Sequence, residues 1–273
     1  MNKLILFIRE HKSFSVLIAL MLTIILSAIF AHIIAPYDPY QGQLKDAFMP
    51  PSSEHWFGTD KLGRDIFSRV IYGVRISLTF SVILILIISS IGSSLGIIAG
   101  YCGGLVDIII MRISDILIAC PSMVLAIALA GIMGASLKNA MIAIFIVTVS
   151  KYIRLTRSLV IKIKNEEYIK AAHVSGTTHV NIIIRHIIPN IVQVLIMTVS
   201  TDVAAMILEL SALSFLGFGV QAPTPELGVM INEGRAHLLN APWLIVYPGV
   251  AIVMIVTVSN LLSDKLRDFL SKS

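Results

Sequence analysis

Four stretches of this sequence contain no Asp, Glu, Lys or Arg: residues 13–37, 76–106, 116–137 and 236–263. Each exceeds the roughly 20 residues that a helix rising about 1.5 Å per residue needs to cross a bilayer. A chain that is 56% hydrophobic and only 14% charged, where a soluble domain carries about a quarter charged residues, is therefore a membrane protein. A water-soluble globular enzyme is excluded. Cys102 and Cys120 lie in these apolar runs, a setting that suits neither a disulfide framework nor a thiolate zinc site.

The net charge of +5 is informative through its distribution. Of the 21 Lys and Arg residues, Lys151, Arg154, Arg157, Lys162, Lys164, Lys170 and Arg185 fall together. The positive-inside rule places that segment in the cytoplasm, so the basic character needs no nucleic acid to explain it.

Taken in order, the apolar segments predict an all-α integral membrane protein with six transmembrane helices and both termini cytoplasmic. Lys3, Arg9 and Lys12 precede a first span over 14–34 that is longer than a signal-peptide core, so a retained helix is expected. Pro36, Pro39, Pro50 and Pro51 then break regular structure, and an external loop runs to about residue 75. A second span covers 76–101, and Gly103-Gly104 permits a tight reversal. A third runs over 107–133 and passes Pro121. Its first turns carry Asp107 and Asp115 on one face, where they can snorkel or pair within the protein. The fourth span, 138–157, ends with Lys151 and Arg154 reaching the cytoplasmic interface. The fifth runs from Pro189 to about 216 and contains Asp202 and Glu209. The sixth runs over 242–263, followed by a basic tail. Two regions result: a first helix with its external loop, 1–75, and a five-helix core, 76–273, with a cytoplasmic loop at about 158–188.

In that loop, Glu166 and Glu167 precede helix-forming residues, and Gly176 suits a left-handed C-terminal cap. Thr177 or Thr178 can cap a second short helix, which Pro189 closes by opening the next span. Two short helices joined by a sharp turn are expected. On composition alone they are equally well a solvated connection.

Spacing adds more. Ala171-Ala172, then Gly176, then Pro189 resembles the cytoplasmic signature of bacterial ABC-importer permeases, with Lys170 standing where that signature has Glu. His55-Trp56-Phe57-Gly58-Thr59-Asp60-Lys61-Leu62-Gly63-Arg64-Asp65 is similar to a segment of the second permease subunit of the dipeptide, oligopeptide and nickel importers. So are the stretch from Glu209-Leu210-Ser211-Ala212-Leu213-Ser214-Phe215 to Pro225-Glu226 and the closing Asn260-Leu261-Leu262-Ser263-Asp264-Lys265-Leu266-Arg267-Asp268. The resemblance implies the type I ABC importer permease fold, with Lys170, Ala171, Ala172, Gly176 and Pro189 forming the coupling segment that docks into a groove on an ATPase. It implies as partners a second, homologous permease, two ATPase subunits and an extracytoplasmic binding protein, in a bacterial inner membrane. No Gly-x-x-x-x-Gly-Lys-Ser/Thr loop occurs in the sequence, so ATP and Mg would be bound by the ATPases and the chain itself needs no cofactor.

An ionised carboxylate facing lipid costs about 2.5–3.5 kcal/mol on insertion scales. Asp202 and Glu209, seven apart and within about 20° on one helix face, are therefore expected to face protein or a wet path, as is Asp115. All three are candidates for lining a translocation route, with a helix-packing role as the alternative. The resemblance is nearer the nickel-type permeases through Asp202 and Gly228-Val229-Met230-Ile231-Asn232, so nickel, free or chelated, is the expected cargo and a di- or oligopeptide the alternative. The seven histidines show no close ligand spacing, and no resident metal site is expected. Gly92, Gly96 and Gly100 form a small-x-x-x-small stripe for helix packing. An intramembrane enzyme is disfavoured because Asp202 and Glu209 lie about 10 Å apart along their helix axis. A secondary transporter would call for inverted repeats, which the sequence does not display.

Overall fold

The computed structural model describes residues 12–272. Lys3, Arg9 and His11 of the expected cytoplasmic N-terminus lie outside the described residues. Among these residues the chain is helical without strands, Thr59 and Asp65 forming an isolated bridge. Helix α1 (Lys12–Ile29) is followed by a single-turn α2 (Ala31–Ile34), α3 (Ile66–Cys102), α4 (Gly104–Ile118), α5 (Ser122–Met133) and α6 (Leu137–Lys164). Then come α7 (Glu167–Val174), α8 (His179–Ile182), α9 (Ile188–Phe215), α10 (Leu227–Gly234) and α11 (Trp243–Lys272).

Every expected span has a helical counterpart, but six regular crossings is an approximation. Among the described residues three helices are long and apolar enough to cross a membrane unaided, four when a bent pair is taken as one. Residues 14–34 are interrupted at Phe30 between α1 and α2. The expected third span is broken into α4 and α5 at an angle of 89°. Proline supplies the reason: Pro121 has no N–H to continue the ladder and sits in an extended conformation, φ −55° and ψ 126°, ahead of α5. Helix α3 starts ten residues earlier than expected because the Asp65 side chain accepts from the Ser68 N–H at 2.7 Å and caps it. At its other end Gly103 and Gly104, with φ of 68° and 57°, reverse the chain as expected.

The principal helix pair is α3 against α6. A Cβ on Gly96 would lie 2.7 Å from the Ile153 carbonyl, and one on Gly100 would lie 2.9 Å from the Arg157 carbonyl. The glycine stripe therefore sets backbone against backbone, as its spacing predicts. Apolar side chains gather in three cores. One joins α1, α3, α9, α10 and α11 around Ile66, Ile207, Met230 and Ile255. A second joins α3, α5, α6 and α9 around Ile85, Ala130, Ile144 and Leu210. The third, built from Tyr101, Val160, Ile169, Ile182, Ile187 and Ile191, holds the α7–α8 segment to the ends of α3 and α6.

Candidate functional site

The α7–α8 turn forms as its residues dictate. Gly176 has φ of 77°; its N–H donates to the His173 carbonyl, and the Thr177 N–H to the Ala172 carbonyl, both at 3.1 Å. This pair of bonds is a Schellman closure, which satisfies carbonyls left over at the end of α7. Thr178 then caps α8 by accepting from the Asn181 N–H at 3.4 Å. Beyond it the structure differs from expectation. Helix α8 does not stop before Pro189; the chain passes through a π turn, Ile183–Ile187, straight into α9, so that 179–215 is one continuous helix. The wider π spacing accommodates a proline that cannot donate, and Pro189 occupies the first turn of α9.

This segment has two faces. Ile169, Ile182 and Ile187 are fully buried against the third core. Lys170, Ala171 and Gly176 are exposed, and with them stand Val174, 90% exposed, Val180 and Ile184. Polar contacts fasten the inner side: Tyr101 Oη and His179 Nδ1 are 2.7 Å apart, and Lys164 Nζ donates to the Tyr101 carbonyl at 2.6 Å. The segment is thus held through its buried apolar face, and on its outer face Val174, Val180 and Ile184 stand among polar and charged residues such as Glu167, Lys170 and Arg185.

Next along α6 comes a row of cations at intervals of three. Lys151 Nζ lies 2.7 Å from both carboxylate oxygens of Asp202, and Tyr152 Oη donates to Asp202 Oδ2 at 2.9 Å. Arg154 pairs with Asp115, and Arg157 grips Asp107 through two bonds, that of Nη2 to Oδ2 being 2.6 Å. Lys151 and Arg154 are thus not a free basic end of α6: both turn to carboxylates on neighbouring helices. The row ties α6 to α4 and to α9. Asp202 is buried, whereas Glu209 is half-buried and makes no hydrogen bond or ion pair among the described residues. Of the two carboxylates, Asp202 is the one that Lys151 engages at ion-pair distance. Asp115 is exposed apart from its arginine.

The opposite end is built by the two other motifs. Arg64 Nε pairs with Asp60 Oδ2 at 2.6 Å, and the fully buried Arg69 reaches Glu233 at 3.1 Å and the Pro39 and Pro223 carbonyls at 3.1 and 3.2 Å. His55 Nδ1 lies 2.9 Å from Asp65. Glu226, wholly buried, accepts from Ser77 Oγ at 2.9 Å, Ser211 Oγ at 3.0 Å and the Val229 N–H at 3.0 Å. The 36–65 segment is therefore an ordered cap fastened to α3 and α10, and Glu226, outside it, ties α3, α9 and α10 together. Arg69, Glu233, Tyr101 and Lys151 were not distinguishable as partners in the sequence, since each meets a residue 50 or more positions away.

Comparison with known proteins follows the same outline. The family described as binding-protein-dependent transport system inner membrane component matches residues 92–273, and the N-terminal TM domain of oligopeptide transport permease C matches residues 8–51. The chain is 42% identical over 263 residues to the dipeptide transport system permease protein DppC of Alkalihalophilus pseudofirmus, which covers 96% of this chain and 86% of that protein. The corresponding protein of Haemophilus influenzae is 38% identical over 270 residues, 97% and 92% of the two chains. The glutathione transport system permease protein GsiD of Pectobacterium atrosepticum is 40% identical over 265 residues, 97% and 88% of the two chains.

Proposed function

The chain belongs to the family of binding-protein-dependent transport system inner membrane components, and from that premise we propose that it carries peptides as one permease subunit of an ATP-driven importer. The relatives compared above are named for dipeptides and glutathione. Their names favour a peptide cargo over nickel, and the expectation of nickel is replaced accordingly.

The observation that carries the mechanism is the α7–α8 segment, with Val174, Val180 and Ile184 exposed outward and Ile169, Ile182 and Ile187 buried inward. In the proposed assembly the outer face enters an ATPase subunit, which binds ATP and Mg. A second permease completes the pathway, a binding protein delivers cargo from outside, and both termini of this chain are cytoplasmic. Closure of the two ATPases moves the segment, and the inner face passes that displacement to α3 and α6 through close-packed side chains. Because Lys151, Arg154 and Arg157 bind α6 to α9 and α4, the three helices move as one body.

The carboxylates divide their work. Glu209, with no hydrogen bond or ion pair among the described residues, is available to the ammonium group of a passing peptide. Asp202 holds Lys151 and contributes to the route only in a state where that pair has opened; Asp115 sets the position of Arg154. The test is uptake of a labelled dipeptide by the complete transporter carrying Glu209→Gln. A severalfold rise in the concentration for half-maximal uptake supports a cargo contact, and unchanged uptake over all concentrations removes Glu209 from the route.

A further inference from the structure

Helix α1 presents Met21, Ile25, Ala28 and Ile29, and α3 presents Arg75, Leu78, Thr79, Val82 and Ile83, both at the spacing of a single helix face. The two stripes do not close on each other. They border a half-open cleft of about 620 Å³, whose far wall is Val203 of α9 and Ser259 of α11. Two of its polar groups lack partners. Ser259 is 4% exposed and its hydroxyl has no hydrogen-bond partner among the described residues. Ser27, Ser94 and Thr198 bond back to a carbonyl one turn earlier, whereas the Ser81, Ser114 and Ser150 hydroxyls are, like that of Ser259, buried without a partner among the described residues. Arg75 is exposed and has no hydrogen bond or ion pair among the described residues, whereas Arg64, Arg69, Lys151, Arg154 and Arg157 are all paired.

We infer that this cleft is a binding site for an anionic phospholipid, with the acyl chain between α1 and α3 and the phosphate on Arg75. Inside a bilayer an open apolar cleft fills with acyl chain in any case, and the unpaired guanidinium decides which headgroup comes with it. An arginine near a membrane boundary without a carboxylate is costly, and a phosphate at hydrogen-bond range offsets that cost with charge-assisted bonds. The lining also argues against a peptide. A peptide at neutral pH carries an ammonium as well as a carboxylate, and no Asp or Glu lines the cleft. An amphiphile with one negative end and an apolar body matches what is there.

The experiment uses the complete transporter, purified and passed through stepwise delipidation, with phosphatidylglycerol and phosphatidylcholine as the two probes and native mass spectrometry as the readout. The intact protein retains phosphatidylglycerol in preference to phosphatidylcholine. Arg75→Gln weakens that preference about fivefold, the effect of one cation at a membrane surface, and Arg75→Lys restores part of it. Val82→Trp, which fills the cleft and leaves Arg75 in place, lowers retention of both lipids. Equal retention in the intact protein and Arg75→Gln overturns the inference. So does a change confined to the dipeptide concentration dependence, which would assign the cleft to cargo, or a cross-link that seats a helix of the second permease between α1 and α3.

Discussion

Lys151 on α6 places its ammonium 2.7 Å from both carboxylate oxygens of Asp202 on α9, bridging 51 positions of sequence. Asp202 is buried and Lys151 is 54% exposed, so removing the lysine strands the costlier charge. Lys151→Met and Asp202→Leu should each destabilise the assembled transporter by about 1–3 kcal/mol. The double variant should recover more than half of the summed loss in thermal unfolding. Strictly additive losses would mean that the two side chains do not depend on each other.

Gly176→Pro tests the turn. Proline holds φ near −65° and has no N–H, whereas Gly176 sits at 77° and donates to His173. Membrane insertion should be normal and uptake lost, with ATP hydrolysis no longer responding to cargo. Gly176→Ala, which meets no neighbouring atom, pays only the left-handed penalty of about 1–2 kcal/mol and should retain measurable uptake. Coupled uptake in the proline variant would contradict the assigned role.

Gly96 fails for a different reason. Its added Cβ would sit 2.7 Å from both the Ile153 carbonyl and Thr156 Cβ, so α3 and α6 must separate. Gly96→Ala should cost about 1–3 kcal/mol, and Gly96→Val more, measured as a lower unfolding temperature of the purified complex. Unaltered stability in both would show that the two helices are not in backbone contact.

Glu226→Gln replaces an acceptor for three donors with an amide that has only one acceptor oxygen. The loss expected is about 1–3 kcal/mol, localised to the start of α10. Amide hydrogen exchange should speed up around Val229 and leave the α7–α8 segment unchanged. Uniform protection in the variant would remove Glu226 from the structural role given to it.

Local chemistry made much of this fold legible. The uncharged runs placed the helices, Gly176 placed a left-handed cap, and the four-residue glycine spacing marked the closest helix pair. Continuity through Pro189 was not legible, because proline marks a helix start equally well whether a loop or a π turn precedes it. The break at Pro121 was visible as a residue but its 89° angle depends on what α5 packs against. Charge pairing was the least legible feature. Lys151 and Arg154 look like a basic helix end until Asp202 and Asp115 arrive from other helices, and no local pattern encodes that meeting. The segments 55–65 and 209–226 were legible as motifs, but their buried bonds to Arg69, Glu233 and Ser77 are tertiary facts.

The central claim is that this chain carries peptides in a motor-driven importer. Its most direct test is uptake of a radiolabelled dipeptide in cells with and without this chain, the remaining subunits being present, with radiolabelled nickel measured in parallel. Dipeptide uptake should depend on the chain and on active ATPases, while nickel uptake stays the same. Loss of nickel uptake alone, or dipeptide uptake that persists with inactive ATPases, would contradict it.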